Sequence, residues 1–402
     1  MNPHAQAVGG PILTRTFKIM LGIFALCIPV LGWRFLYGIG PVTGLSDGFP
    51  WGIWIAYDVV TGTALACGGF SVAILCYAFN AGKYHSLVRP AILTSALGYS
   101  LAGASVLIDL GRYWNVWRIP LLWNWNRNSV MLEVAICIMT YVVVLWIELS
   151  PAFLEVWEDC GRYPVLCRVA RPAHRLLNRF MIPLIALGIL LPTMHQSSLG
   201  SLMLIAPSKL HKLWHTPFLP ILFLSSAIVM GYAAVIFESA LADAIFDRPR
   251  ETKILASLSS AMVVVLFFFL GVRLLDLAAR GRLGLILRFD AFSAFFLVET
   301  ALFLAPALLL LSRERRGNPG IELLAALLMM VGGSMYRFDT FLVGFRPGPG
   351  WSYFPSVPEM LVTFGLVAFE VMAYLFIVKK FPILHSAHPA RSLAAAASKS
   401  SG

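Results

Sequence analysis

The chain has 402 residues, 59% of them hydrophobic and only 13% charged, with a formal net charge of +11. Soluble domains are about 45–50% apolar and about 25% charged, so the composition excludes a soluble globular protein and leaves a polytopic membrane protein. The positive balance needs no nucleic-acid partner, because basic loops at a membrane face account for it.

Ten apolar segments can be drawn, each of about 20 residues or more, the length that crosses roughly 30 Å of hydrocarbon. They lie at approximately 17–38, 53–80, 90–111, 129–150, 176–195, 218–243, 254–277, 289–311, 321–343 and 359–380. The runs are continuously apolar rather than alternating, which predicts helices and not barrel strands. The expected fold is an all-α integral membrane protein with about ten transmembrane helices, a single polytopic membrane domain over 1–402. The first run reads as a retained helix rather than a cleaved signal peptide. The segment 151–175 reads as the longest loop, and 387–402, rich in Ala and Ser, as a disordered tail. No separate extramembrane domain is expected, so any aqueous chemistry falls to other subunits.

A weak repeat is visible. Leu107-Ile108-Asp109-Leu110-Gly111-Arg112 closes helix 3 much as Leu274-Leu275-Asp276-Leu277-Ala278-Ala279-Arg280 closes helix 7. Glu133 and Glu299 follow at nearly the same spacing. Helices 2–5 and 6–9 are therefore expected as two four-helix bundles with flanking helices, the repeat halves running roughly 50–200 and 215–345.

With ten spans, the side holding both termini carries 19 of the 31 Lys and Arg residues, including Arg162, Arg168, Arg171, Arg175 and Arg179 in one loop. The positive-inside bias puts both termini in the cytoplasm. The six cysteines (Cys27, Cys67, Cys76, Cys137, Cys160, Cys167) contain no C-x-x-C pair and read mostly as small core residues. No iron–sulfur cluster and no bound metal are expected in this chain. A haem b is not expected either: it needs axial ligands projecting inward from a bundle, and of the eight histidines only His195 falls at helix depth.

Charged groups inside apolar spans cost roughly 2.5–3.5 kcal/mol at the bilayer centre, so they usually face a protein interior. Asp58, Asp109 and Glu133 are such groups. On the predicted topology Asp58, Asp109, Arg112 and His195 reach one membrane surface, with Glu133 about a turn below. Asp109 and Arg112, three apart, are placed to pair. A quinone needs an apolar tunnel, donors for its carbonyls and a carboxylate or imidazole to pass protons. Tyr99, His195 and Asp58 supply such groups, and Trp51, Trp54 and Tyr113 are candidates to wall the ring. Glu133, Tyr141 and Glu148 on helix 4, with Glu238 on helix 6, are placed as a proton path. A proton-coupled transporter is the competing class, but its helices are typically interrupted at the midplane.

Gly48-Phe49-Pro50-Trp51-Gly52-Ile53-Trp54, Ala66-Cys67-Gly68-Gly69, Tyr84-His85, Val88-Arg89-Pro90, Gly98-Tyr99-Ser100, Asp109-Leu110-Gly111-Arg112-Tyr113-Trp114-Asn115 and Pro192-Thr193-Met194-His195-Gln196-Ser197-Ser198 resemble the NrfD/PsrC family of quinone-interacting membrane subunits. Within it they look most like the branch that serves periplasmic nickel–iron uptake hydrogenases. The resemblance runs from about residue 8 to 385. It implies electrons received from a periplasmic ferredoxin-like iron–sulfur subunit, fed by hydrogenase large and small subunits, and delivered to menaquinone or ubiquinone with proton movement. It also implies a bacterial cytoplasmic-membrane location, a quinone site near the periplasmic face, and importance for Tyr99, Glu133 and His195. Two departures stand out. Polysulfide-reductase members present Asn and His on their first helix, and helix 1 here has neither; the segment 117–125, rich in Trp and Arg, matches less closely and is a candidate docking surface.

Overall fold

The computed structural model describes residues 5–161, 163–246 and 251–385. Its ten long apolar helices are α1 (Arg15–Tyr37), α2 (Trp54–Ala78), α3 (His85–Asp109), α4 (Val130–Trp157), α5 (Pro164–Leu202), α6 (Leu219–Phe246), α7 (Thr252–Ala279), α8 (Ala291–Leu309), α9 (Pro319–Val343) and α10 (Val357–Lys380). The all-α membrane fold read from the sequence is therefore present. A short antiparallel pair, β1 (Ala5–Gln6) with β2 (Leu384–His385), ties the two ends of the described chain together.

Neighbours in sequence pack as neighbours in space from α2 to α5 and again from α6 to α9. α5 packs on α6, and α2 lies against α6 and α9, so the two groups share a seam, while α10 pairs with α1 and touches α3. Small residues allow these approaches. A Cβ on Gly231 of α6 would sit 2.7 Å from the Cys67 carbonyl oxygen and would also meet Ser71. Large apolar side chains such as Leu26, Leu36, Ile182, Val264, Leu275 and Phe364 are exposed on the outside. The interior holds buried Asp58, His195, Arg273, Glu299, Arg337 and Asp339. This inverted arrangement is what a lipid solvent selects.

Two elements differ from their sequence reading. The segment 151–175 is mostly helix, since α4 continues to Trp157 and α5 starts at Pro164. Pro at the first helical position is pre-organised for a helix. Arg168, Arg171, Arg175 and Arg179 then form one exposed stripe at three- and four-residue spacing. At 39 residues α5 is about 58 Å long, so its basic end extends past the hydrocarbon while its backbone stays hydrogen-bonded. Arg162 and the tail 387–402 lie outside the described residues.

The second difference is α2. It opens as a π-helix over Trp54–Thr61, is interrupted at Ala66 and Cys67, and closes as another π segment over Ile74–Ala78. α9 likewise ends in a π turn over Asp339–Val343. Irregular turns of this kind often mark functional positions. Cys160 and Cys167 are bridged across the α4–α5 turn, whereas Cys27, Cys67, Cys76 and Cys137 are free and buried.

Candidate functional site

The interruption of α2 brings Thr63 and Cys67 against α3 and α5. Thr63 Oγ1 donates to the Val59 carbonyl at 2.6 Å, which uses its only hydrogen. It therefore accepts from Gln196 Nε2 at 3.0 Å and from His195 Nε2 at 3.2 Å. This assignment puts the hydrogen of His195 on Nε2 and leaves Nδ1 as a bare acceptor. Nδ1 is buried and has no hydrogen-bond partner among the described residues.

Tyr99 closes the same cluster from α3. Its hydroxyl lies 3.5 Å from Cys67 Sγ and accepts from Gln196 Nε2 at 3.4 Å. Its ring meets Tyr141 edge-on at 4.6 Å and His195 at 5.7 Å. Arg337 of α9 reaches in from the second helix group and donates through Nη2 to Gln196 Oε1 at 3.1 Å, to the Phe223 carbonyl and to Ser226 Oγ. Tyr99 and His195 thus meet in one cluster, joined by Thr63, Cys67, Gln196 and Arg337.

The other sequence candidates are dispersed. Glu133, in the first turn of α4, accepts from Ser198 Oγ at 2.7 Å and is exposed at the outer edge of α4. Ser198 is one helical turn beyond His195, which links Glu133 to the cluster. Asp58 faces α3 and α10 instead, where its Oδ2 accepts from Ser105 Oγ at 3.1 Å and Thr363 Oγ1 at 3.2 Å. Trp54 is buried and donates to the Glu359 carbonyl at 3.1 Å. Trp51 donates to the Phe341 carbonyl at 2.9 Å and packs on Phe345.

The expected Asp109–Arg112 pair does not form. α3 ends at Asp109, and Leu110 turns extended, so residue 112 leaves the helix face on which a three-residue spacing would bring the two together. Arg112 is exposed. The cation near Asp109 is Arg34 of α1, which is fully buried and held by the Ile108 and Leu110 carbonyls at 2.7 and 2.6 Å. Tyr113 packs on Phe35 and donates to its carbonyl at 3.3 Å.

Of the residues assigned to a proton path, Tyr141 and Glu148 border one cavity of about 250 Å³ together with Arg89, Glu155, His174 and Asn178. Glu238 belongs elsewhere: it accepts from Thr94 Oγ1 at 2.8 Å and from Tyr374 OH at 2.7 Å. Glu370 of α10 lies within electrostatic reach of both Glu238 and Asp58.

Arg34, Arg273, Arg337, Glu299 and Asp339 went unassigned in the sequence reading, although a charge inside an apolar run is itself the signal. Thr63 and Gln196 give a weaker signal, since hydroxyl and amide side chains also serve simple helix packing.

Outside the spans, the loop between α5 and α6 carries two histidines. Burial pushes His211 down first, then the cations Arg346, Arg288 and Lys212, against Asp290. His215 is lowered by burial and then by Arg282 and Arg280, against Asp276.

The family described as Polysulphide reductase, NrfD, matches residues 41–345. The chain is 39% identical over 96% of both proteins to the "Probable Ni/Fe-hydrogenase 2 b-type cytochrome subunit" of Escherichia coli (strain K12). It is 27% identical over 86% of both to the "Menaquinone reductase, integral membrane subunit" of Nitratidesulfovibrio vulgaris. To a selenate reductase subunit of Mesobacillus selenatarsenatis it is 23% identical, over 67% of this chain and 64% of that protein.

The Escherichia coli relative corrects one expectation. The sequence reading excluded haem, yet that protein is named as a b-type cytochrome subunit, a name that implies haem. The residues described here fit the group poorly. His174 and His195 share α5, 21 residues and about 31 Å apart, too far to ligate one iron. His85 and His174 border the same cavity, but its 250 Å³ falls below the roughly 300–1,000 Å³ of small-molecule pockets. His174 Nδ1 also contacts Glu158 at 2.7 Å. The resemblance to the hydrogenase-associated branch, by contrast, is matched by that same relative across nearly the whole chain, and with the matched region covering most of its length this chain belongs to the NrfD family.

Proposed function

We propose that this chain is the quinone-reactive membrane subunit of a hydrogenase-type oxidoreductase, taking electrons from an iron–sulfur partner and delivering them to the quinone pool. The observation that carries this reading is the buried cluster at the break in α2, where Tyr99, Thr63, Gln196 and His195 converge. The relatives named as hydrogenase and menaquinone reductase subunits support it. The selenate reductase relative favours a second reading, in which the same quinone module serves another oxidoreductase.

Reduction of a quinone to a quinol takes two electrons and two protons. The electrons come from the partner, and this chain has to supply the protons and fix the ring. The Tyr99 hydroxyl donates to a quinone carbonyl, two protons arriving through Glu133 complete the quinol, and the bare Nδ1 of His195 accepts from the hydroxyl of that product. Glu133, tied to Ser198 at the edge of α4, exchanges protons between this cluster and the outside. Glu148 and Tyr141 border a cavity on the opposite half of the same helices, and Tyr141 meets the Tyr99 ring edge-on, so in this scheme they form the approach from the far face. In this scheme the face bearing the loops before α2, α4, α6, α8 and α10 is periplasmic. Three arginines counted on that face, Arg34, Arg273 and Arg337, are buried inside the protein. Against them, only Lys379 among the described residues is lost to burial on the other face, which leaves the loop charge bias pointing the same way.

Replacing Glu133 by Gln keeps the bond to Ser198 and removes the titratable group. Quinone-linked turnover of the purified complex is expected to fall about 10²-fold, with insertion and partner binding intact. Turnover within about twofold of wild type takes Glu133 out of the mechanism.

A further inference from the structure

The second helix group holds a charged cluster that the quinone cluster does not use. Arg273 of α7 grips Glu299 of α8 with both terminal nitrogens, the longer contact being 3.2 Å. Trp214 Nε1 donates to Glu299 Oε2 at 2.8 Å, and the guanidinium sits over the Phe296 and Tyr336 rings at 4.5 and 5.0 Å. Asp339, at the π turn that ends α9, lies against the Glu299 carboxyl. Glu299 is wholly buried and Asp339 is 1% exposed. Neither oxygen of Asp339 receives a hydrogen bond from an N–H or O–H among the described residues.

Two carboxylates in contact beside one arginine carry a net negative charge in a low-dielectric interior, and two like charges at this range cannot both ionise cheaply. One proton on the pair makes the cluster neutral and turns the carboxyl contact into a hydrogen bond. The fully buried Tyr336 hydroxyl is also unpartnered among the described residues and lies in the field of Arg273 and Glu299. Adjacent Arg337 has its Nε and Nη1 buried and unpartnered, while its Nη2 holds Gln196 in the quinone cluster. Polar groups thus stand on both sides of the seam at the level of Tyr336 and Arg337, and Arg337 is hydrogen-bonded across it to Gln196.

We propose that Asp339 and Glu299 form a proton-loading site in the second helix group, with Arg273 as its fixed counter-charge and Tyr336 and Arg337 as its link to the quinone cluster. Loading puts a proton on the Asp339 carboxylate, which then donates to Glu299. Unloading returns that proton and leaves the Arg273–Glu299 ion pair in place. No electron moves at this site. The proposal rests on the quinone reading only for what drives loading, not for the existence of the shared proton.

The test is infrared spectroscopy of the purified full-length chain, without a redox partner, in H2O and D2O. A protonated-carboxyl band that shifts in D2O is expected in wild type, absent in Asp339→Asn, and moved but retained in Asp339→Glu. If the wild-type and Asp339→Asn spectra coincide in the carboxyl region, the site is overturned whatever the fate of the quinone reading. Should Asp339→Asn fail to fold, Asp339→Glu carries the decision, and an unmoved band overturns the site. In the reconstituted complex, Asp339→Asn is expected to keep hydrogen–quinone turnover within about twofold and to lose proton movement across the vesicle membrane. Loss of neither overturns the link to the quinone cluster.

Discussion

At the scale of single residues, the polar groups sort by the work their hydrogen bonds already do. Trp54, Trp51 and Tyr113 spend their donors on backbone carbonyls, which leaves only their ring faces for a ligand. His195 Nδ1 and the Asp339 carboxyl have capacity left over. Tyr99 and His195 were legible in the sequence because polar groups within apolar helices cost free energy. Thr63 was not, since a threonine in an apolar run looks like any helix-packing residue until the break in α2 aims it at His195. The Asp109–Arg112 pairing failed because a three-residue spacing means proximity only inside a helix, and α3 stops at Asp109.

Titration at this scale concerns His211 and His215, both held below the ordinary histidine value mainly by burial. In the unfolded chain they titrate near 6.5. Above that pH both states are neutral and nothing is gained or lost. As pH falls through 6.5 the unfolded chain takes up protons first, so stability declines towards the lower folded values. Thermal unfolding in detergent is expected to show a midpoint several degrees lower at pH 5 than at pH 7.5. His211→Asn with His215→Asn is expected to flatten that slope; an unchanged slope assigns the acid loss to other groups, among them Asp290, which is itself held low by its cap of α8.

At the scale of elements, apolar run length was enough to place all ten helices, because in lipid the backbone must satisfy itself and the helix is the compact solution. What length could not show was regularity. α2 lacks an internal proline, the usual mark of a kink, and its break falls among the small residues Ala66, Cys67, Gly68 and Gly69. The close approach of α6 there fixes the break: a side chain on Gly231 meets Ser71 and the Cys67 carbonyl. Gly231→Ala gains about 1 kcal/mol of helix propensity but overpacks a contact whose neighbour is backbone, typically at a cost of 1–3 kcal/mol. A net loss of stability and a disturbed quinone cluster are expected, read as a lower unfolding midpoint and weaker inhibition by quinone analogues. A stability equal to wild type with unchanged inhibition shows that α6 does not set the geometry of α2. The interruption is also a feature of secondary transporters. Here it presents hydroxyl, amide and imidazole groups to one another rather than opening carbonyls around an ion.

At the scale of the molecule, the two helix groups meet along α2, α5, α6 and α9, and the polar run from His195 through Gln196 and Arg337 crosses that seam. The sequence hinted at two halves through Asp109, Glu133, Asp276 and Glu299, but the halves differ in their chemistry. The first gathers neutral donors and acceptors suited to a quinone; the second gathers an arginine and two carboxyls suited to a proton. The basic end of α5 and the Cys160–Cys167 bridge lie together on one face of the molecule.

The most direct measurement is photolabelling of the complex with an azido-quinone, followed by mass-spectrometric mapping with and without excess unlabelled quinone. The account predicts competed label on α2, α3 or α5 near Thr63, Tyr99 and His195, and its loss in His195→Ala. Competed label confined to other helices, or label that excess quinone fails to displace, contradicts a quinone site at the break in α2.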